Sequence, residues 1–453
     1  MLRMASPRAS CYTAAMDLGF ETIGNACLIA HDNGPVFATD PWMVGPAYFG
    51  SWRLSHEFPR EQQERIKRCK FLWISHGHPD HLSLESMELL RDKHFLLPDH
   101  YGGRIARDLA GMGFQVTTLK CGEWFQVSDR VRIASLANYN QDATCVMDID
   151  GHLVIDANDA GNRGGGIFLA KIRPQFRKRT VLACLTGYGD ADMINFFDEQ
   201  GHRVLPQAAK KAPCGPGIKG MLDHYDIDYF APSSSMHRYN RTDSGWADEF
   251  ATPIDAHEQR FDGGRRTLLP AYVQFDLHTG RYEKTNPKPN DGPLRDPAEF
   301  GDDWTTPLEA GDVATLQRYF DRVEHLRTFL GHVNFRVGDR DHTIDVNREH
   351  QRGITFHTPR QSLLQAIEWN AFDDILIGNF CRTTLHGDWW GKQGADALYP
   401  HFTPFVTKFG DNGGAYSAAE LRAYFAEYFR RGYSEFTADV PDQEMKAALA
   451  GYL

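Results

Sequence analysis

Within FLWISHGHPDHLSL, residues 71–84, His76, His78, Asp80 and His81 fall in six consecutive positions. Imidazole nitrogen and carboxylate oxygen are ligands that suit zinc, iron or manganese. Two imidazoles two positions apart on a tight turn can converge on one ion, while the Asp and His that follow face a second. With 20 histidines spread over 453 residues, so dense a string calls for a chemical reason.

Such a string needs a rigid support on each side. KFLWIS reads as a strand and LSLESMELLRD as an amphipathic helix with Ser83 as candidate N-cap, so the histidines lie on a strand-to-helix turn. A charged helix is expected near 60–69. Upstream, FETIGNACLIAHDNGPVFATDP reads as two strands around an Asp-Asn-Gly turn, ending at Asp40. Downstream, VRIASLANYN, ATCVMDID and HLVIDAND read as strands, the last two joined by Asp150-Gly151. TVLACLTGY reads as a buried strand, 191–224 as helical, and YDIDYFAPSSSMH as a strand ending in a polar loop. This order predicts an α/β fold, a two-sheet sandwich flanked by helices over 17–250.

Residues 251–303, with NPKPNDGPLRDP and few apolar runs, read as an extended connection. Residues 304–453 read as an accessory C-terminal mixed α/β region. In it EAGDVATLQRYFDRVEHLRTFL looks helical, HTIDVNREHQRGITFHT strand-like, and PRQSLLQAIEWNAFDDILIG and SAAELRAYFAEYFRRGY helical. DDILIGNFCRTTLHG could close one wall of a pocket, with a core strand the commoner explanation. Trp52 and His56 could line a cleft, although an aromatic loop packed on the sandwich is the commoner explanation.

Composition narrows the function classes. A formal charge of -11 argues against a nucleic-acid partner, which asks for a basic face. The eight cysteines include no C-x-x-C pair, so neither a zinc knuckle nor a disulfide framework is indicated and a reduced, cytoplasmic setting is expected. No stretch approaches the roughly 20 apolar residues of a membrane span.

SHGHPDHLS resembles the H-x-H-x-D-H signature of the metallo-β-lactamase superfamily, whose αββα fold carries its metal site at one edge of the sandwich. Within it, IGNACLIAHDNGPVFATDPWMVGPAYFGSWRLSHEFP and TCVMDIDGHLVIDANDAGNRGG are similar to the branch containing CMP-N-acetylneuraminate hydroxylase. The resemblance implies metal ligation by His76, His78, Asp80, His81 and His237, a bridging carboxylate at Asp159, and Asp40 as the aspartate that braces the ligands. There are two departures from the pattern. No Cys-x-His followed by Cys-x-x-His occurs, so a Rieske cluster is not encoded and electrons would come from a ferredoxin or reductase. Where a histidine usually stands, LANYNQDATC offers Tyr139, Asn140, Gln141 and Asp142; Asp142 is the strong anionic candidate and Tyr139 the weaker one.

With Asp142 included, the set is rich in carboxylates, which favours iron or manganese over zinc. Together with that ligand chemistry, the resemblance implies a di-iron oxygenase that hydroxylates a polar small molecule, with Asp80 and Asp159 nearest the chemistry. The alternative is a zinc or manganese hydrolase of an ester, lactone or phosphodiester, in which Asp80 steers the attacking water.

Overall fold

The strands at the heart of the molecule are buried on both faces, which their near-continuous apolar sequences require. In the segment around Phe71–Trp73, Phe71 and Trp73 point into one core while Leu72 and Ile74 point into another. The computed structural model describes residues 16–161, 165–188, 193–431 and 443–452.

The first sheet has eight strands in the order Tyr282–Lys284, Val273–Asp276, Leu18–Ile23, Cys27–Asp32, Pro35–Thr39, Phe71–Trp73, His94–Pro98 and Gln115–Leu119. The second has seven: Thr267–Leu268, Tyr229–Ser233, Thr180–Leu185, His152–Asn158, Ala143–Ile149, Val131–Ala137 and Trp124–Gln126. Phe20, Phe37, Trp73 and Leu96 of one sheet meet Ile133, Met147 and Val154 of the other in a shared core. The opposite faces are covered by helices, among them Arg60–Arg68, which buries Ile66, and Gly215–Tyr225, which buries Ile218 and Leu222. This is the αββα architecture of the metallo-β-lactamase fold. Asp150 and Gly151 take φ of 50° and 78°, the left-handed pair that a two-residue hairpin turn demands.

Residues 251–303 do more than connect. Val273–Asp276 pairs with Leu18–Ile23, Tyr282–Lys284 extends that edge, and Thr267–Leu268 extends the other sheet. Strands of two to four residues broken by Gly and Pro leave little periodic signal, so the sequence reads as connection where the chain completes two edges. The 191–224 stretch likewise departs from its helical expectation: Phe196–Phe197 is a strand, and the regular helix is confined to Gly215–Tyr225.

The C-terminal region builds a third sheet, Phe196–Phe197, Arg382–His386, Arg352–His357, Leu330–Val337 and Arg340–Asp345, with its own apolar core. Leu330–Val337 is a strand at a segment whose start the sequence assigns to a helix; the helix ends at Asp321. No helix among the described residues is long and apolar enough to cross a membrane.

Arg241 ties the two regions together. Its buried guanidinium lies 2.6 Å from Asp302 and 2.7 Å from Asp243, donates to the Phe49 carbonyl, and sits over the Phe380 ring. Asp302 in turn accepts from the backbone N–H and hydroxyl of Ser362. Removing one partner of a buried ion pair leaves an uncompensated charge, at a cost of about 3–5 kcal/mol. Arg241→Met is therefore expected to lower unfolding free energy by that order in a denaturant titration; a loss below about 1 kcal/mol would contradict this role.

Candidate metal centre

Parallel pairing brings the relevant strand ends to one edge. Phe71–Trp73 lies between Pro35–Thr39 and His94–Pro98, so Asp40 and the Ser75–His81 turn emerge side by side. His152–Asn158 of the second sheet delivers Asp159 to the same place. The turn itself is held by the Asp40 carboxylate, which accepts from the Ser75 backbone N–H at 2.8 Å and its hydroxyl at 2.7 Å. His100 Nε2 donates to the Ser75 carbonyl at 2.9 Å from the neighbouring strand end.

These contacts sort the nitrogens of each ring. His81 Nδ1 lies 2.8 Å from Asp40 and His76 Nδ1 lies 2.9 Å from the Ser75 hydroxyl, so both rings turn Nε2 inward. His76 Nε2 is 2.9 Å from His78 Nδ1 and 3.9 Å from Asp159. His81 Nε2 is 3.4 Å from Asp159 and 3.4 Å from Asp80. Asp80 is fixed by Tyr48, whose hydroxyl donates at 2.5 Å, and by Asn25 at 2.8 Å. His237 opens the short strand paired with Trp52–Leu54 and lies flat on the Trp52 indole, 3.4 Å between centroids and 1° from parallel.

The electrostatics follow from burial. Burial, with His81 and His78 nearby, pushes His76 well below the ordinary histidine range, and burial takes His237 down to about 4, so both are neutral donors at neutral pH. For His81 the carboxylates of Asp80, Asp159 and Asp40 outweigh burial and hold the ring well above its usual range. Burial raises the Asp80 carboxyl against the pull of His81.

The donor set fits metal. His81 Nε2, Asp159 Oδ1 and both ring nitrogens of His237 are buried without a hydrogen-bond partner, which is costly unless something else engages them. His76, His81 and Asp159 bring one donor atom each within 4.8 Å of one another. Nitrogen and carboxylate oxygen at such points match zinc, iron or manganese.

Asp142, expected as a further ligand, belongs to neither group of convergent donor atoms, as is also true of Asp80 and His237, and its contacts run to Asn140 and Lys408. It is buried, accepts from Asn140 Nδ2 at 2.8 Å, and faces Lys408 Nζ at 3.9 Å. The cause is local: Gln141 takes φ of 63°, and the Asn138 side chain accepts from the backbone N–H groups of Asn140 and Asp142, curling the segment. Tyr139, the weaker candidate, is buried in the C-terminal apolar core. His56 lies apart, beside Ser55 and Tyr272.

The sequence reading missed that the C-terminal region reaches the centre. Asp373 and Asp374 sit on the fully buried helix Phe372–Ile377, and with His78 they form a second convergent group. Burial and the Asp373 charge push Asp374 up to about 8. Lys408 arrives on a π-helical turn, Pro404–Asn412, a geometry often found at functional sites. The available signal was the acid pair inside NAFDDILIG, an apolar setting where unpaired carboxylates are rare.

No family model matches this chain. It is 28% identical over 151 residues to the cytidine monophosphate-N-acetylneuraminic acid hydroxylase of Asterias rubens, covering 31% of this chain and 23% of that protein. To the Sus scrofa hydroxylase it is 30% identical over 142 residues, 29% of this chain and 33% of that protein. The matches thus span a third or less of the length of these relatives. Solved structures similar to it include metallo-β-lactamase fold proteins. The isothiocyanate hydrolase from Delia radicum gut bacteria has a TM-score of 0.40 and 12% identity, covering 57% of this chain and 99% of that one. YhfI from Bacillus subtilis has a TM-score of 0.28 and 8% identity over 49% and 83%.

If the convergent imidazoles hold metal, the double variant His76→Ala, His78→Ala loses most bound metal while keeping its far-ultraviolet circular dichroism. Full metal stoichiometry in that variant would overturn the assignment.

Proposed function

We propose that this chain is a dinuclear metal-dependent oxygenase that hydroxylates a polar small molecule, drawing electrons from an external ferredoxin or reductase. Its metal ligands are His76, His78, Asp80, His81, Asp159 and His237. The observation that carries the reading is the donor edge itself, where His76 Nε2 and His81 Nε2 lie 3.9 and 3.4 Å from Asp159, with His81 Nε2 and Asp159 Oδ1 buried and without a hydrogen-bond partner. The similarity to hydroxylases supports the oxidative branch. When bound, iron would supply dioxygen activation, and zinc or manganese would instead supply an acidified water.

The chain's own residues then have definite tasks. Asp40 and Ser75 hold two rings with Nε2 inward, a bracing that keeps ligands in one tautomer. Tyr48 and Asn25 hold Asp80 in one orientation, so its oxygen stays directed at the reacting edge. Trp52 packs across one face of His237 and shields it from water. Asp159, about one quarter exposed, is the more open of the acidic donors and marks the side from which a substrate enters.

One observation favours the second reading, a zinc or manganese hydrolase. Asp142 faces Lys408, so the additional anionic ligand that would favour iron is not in the donor group. Protein purified aerobically from iron-replete cells separates the two by metal analysis and an absorption spectrum. About two iron atoms per chain, with visible bands bleached by dithionite, are expected. Stoichiometric zinc or manganese with hydrolysis of model esters would replace the oxygenase with the hydrolase.

A further inference from the structure

His78 is the ring on which the sandwich and the C-terminal region meet. Its Nδ1 lies 2.9 Å from His76 Nε2, and its Nε2 faces outward, 3.3 Å from Asp373 Oδ2 and 3.4 Å from Lys408 Nζ. These two neighbours make opposite demands. A carboxylate only accepts, so pairing with Asp373 puts the proton on Nε2 and leaves Nδ1 a lone pair beside His76. An ammonium only donates, so pairing with Lys408 puts the proton on Nδ1 and blocks that nitrogen as a metal donor.

Lys408 has other acceptors to occupy it. Its ammonium is buried 3.9 Å from Asp142 and 3.9 Å from Asp373, and the π-helical turn that carries it is buried from Pro404 to Asp411. Asp142 thereby gains a task other than ligation, as a counter-charge to the ammonium, although the ammonium stays closer to the ring, at 3.4 Å, than to this carboxylate.

We propose that Asp373 and Lys408 are positioning residues that select the tautomer of His78. Asp373 holds the form that donates to metal, while Lys408, which contacts the same ring nitrogen, pulls toward the opposite tautomer and balances the buried carboxylates of Asp142 and Asp373. The C-terminal region is then part of the metal centre. The inference rests on the reading that His76 and His78 hold a metal.

The test uses the full chain, stripped of metal, with zinc affinity measured by chelator competition. Outer carboxylates of this kind typically matter by 10–100-fold in affinity. Asp373→Asn is expected to weaken zinc binding by that factor, Asp373→Glu to recover part of it, and Lys408→Met to bind at least as tightly as the parent. Nitrogen-15 shifts of His78 in the metal-free protein should report the Nε2–H form in the parent and the Nδ1–H form in Asp373→Asn. Parent-like affinity in Asp373→Asn, or equal losses in Asp373→Asn and Lys408→Met, would overturn the proposal. Absence of zinc, iron and manganese binding in the parent would remove the functional reading itself, whereas a metal-binding parent with an indifferent Asp373 removes only this inference.

Discussion

Burying charge is what this structure must solve. Asp40, Asp80, Asp142, Asp373 and Asp374 are all nearly inaccessible, crowded with His76, His78, His81 and Lys408 at one sheet edge. Each buried ion costs several kcal/mol unless it is paired and hydrogen-bonded. The surrounding architecture supplies those partners: Ser75 and His81 for Asp40, Tyr48 and Asn25 for Asp80, Asn140 and Lys408 for Asp142. Among the buried side-chain atoms left without a hydrogen-bond partner are His81 Nε2, Asp159 Oδ1 and the His237 nitrogens.

The two regions of the chain share that solution. Arg241 binds Asp302 and the Phe49 carbonyl, and Asp302 binds Ser362 at the head of the helix Arg360–Glu368, which holds the C-terminal layers against the sandwich. Two residues on, past Trp369, the short helix Phe372–Ile377 carries Asp373 to His78. The tie at Arg241 and the hydrogen bond at Asp373 are thus successive consequences of one docking.

How much of this was legible in the sequence depends on range. The histidine turn declares itself because its chemistry is packed into six adjacent positions, and the strand-turn-helix around it follows from local apolar pattern and the Ser83 cap, whose hydroxyl does accept from the Ser86 N–H. The strand end at Asp40 and the hairpin at Asp150-Gly151 were legible for the same local reason, whereas the task of Asp40 beside His81 came from the family resemblance. Asp142 was legible in type but not in direction, since the left-handed residue before it decides where the side chain points. Asp373 and Lys408 lie 295 and 330 residues from His78, and no local pattern encodes such a meeting. The edge strands within 251–303 escaped notice because strands this short owe their existence to the partner beside them.

Anomalous diffraction from metal-loaded crystals, collected at the absorption edge of the bound ion, tests the central claim most directly. The account predicts two peaks flanking Asp159, one beside His76 Nε2 and His78 Nδ1 and the other beside Asp80, His81 and His237. A lone peak among His78 Nε2, Asp373 and Asp374, or none near Asp159, would contradict it.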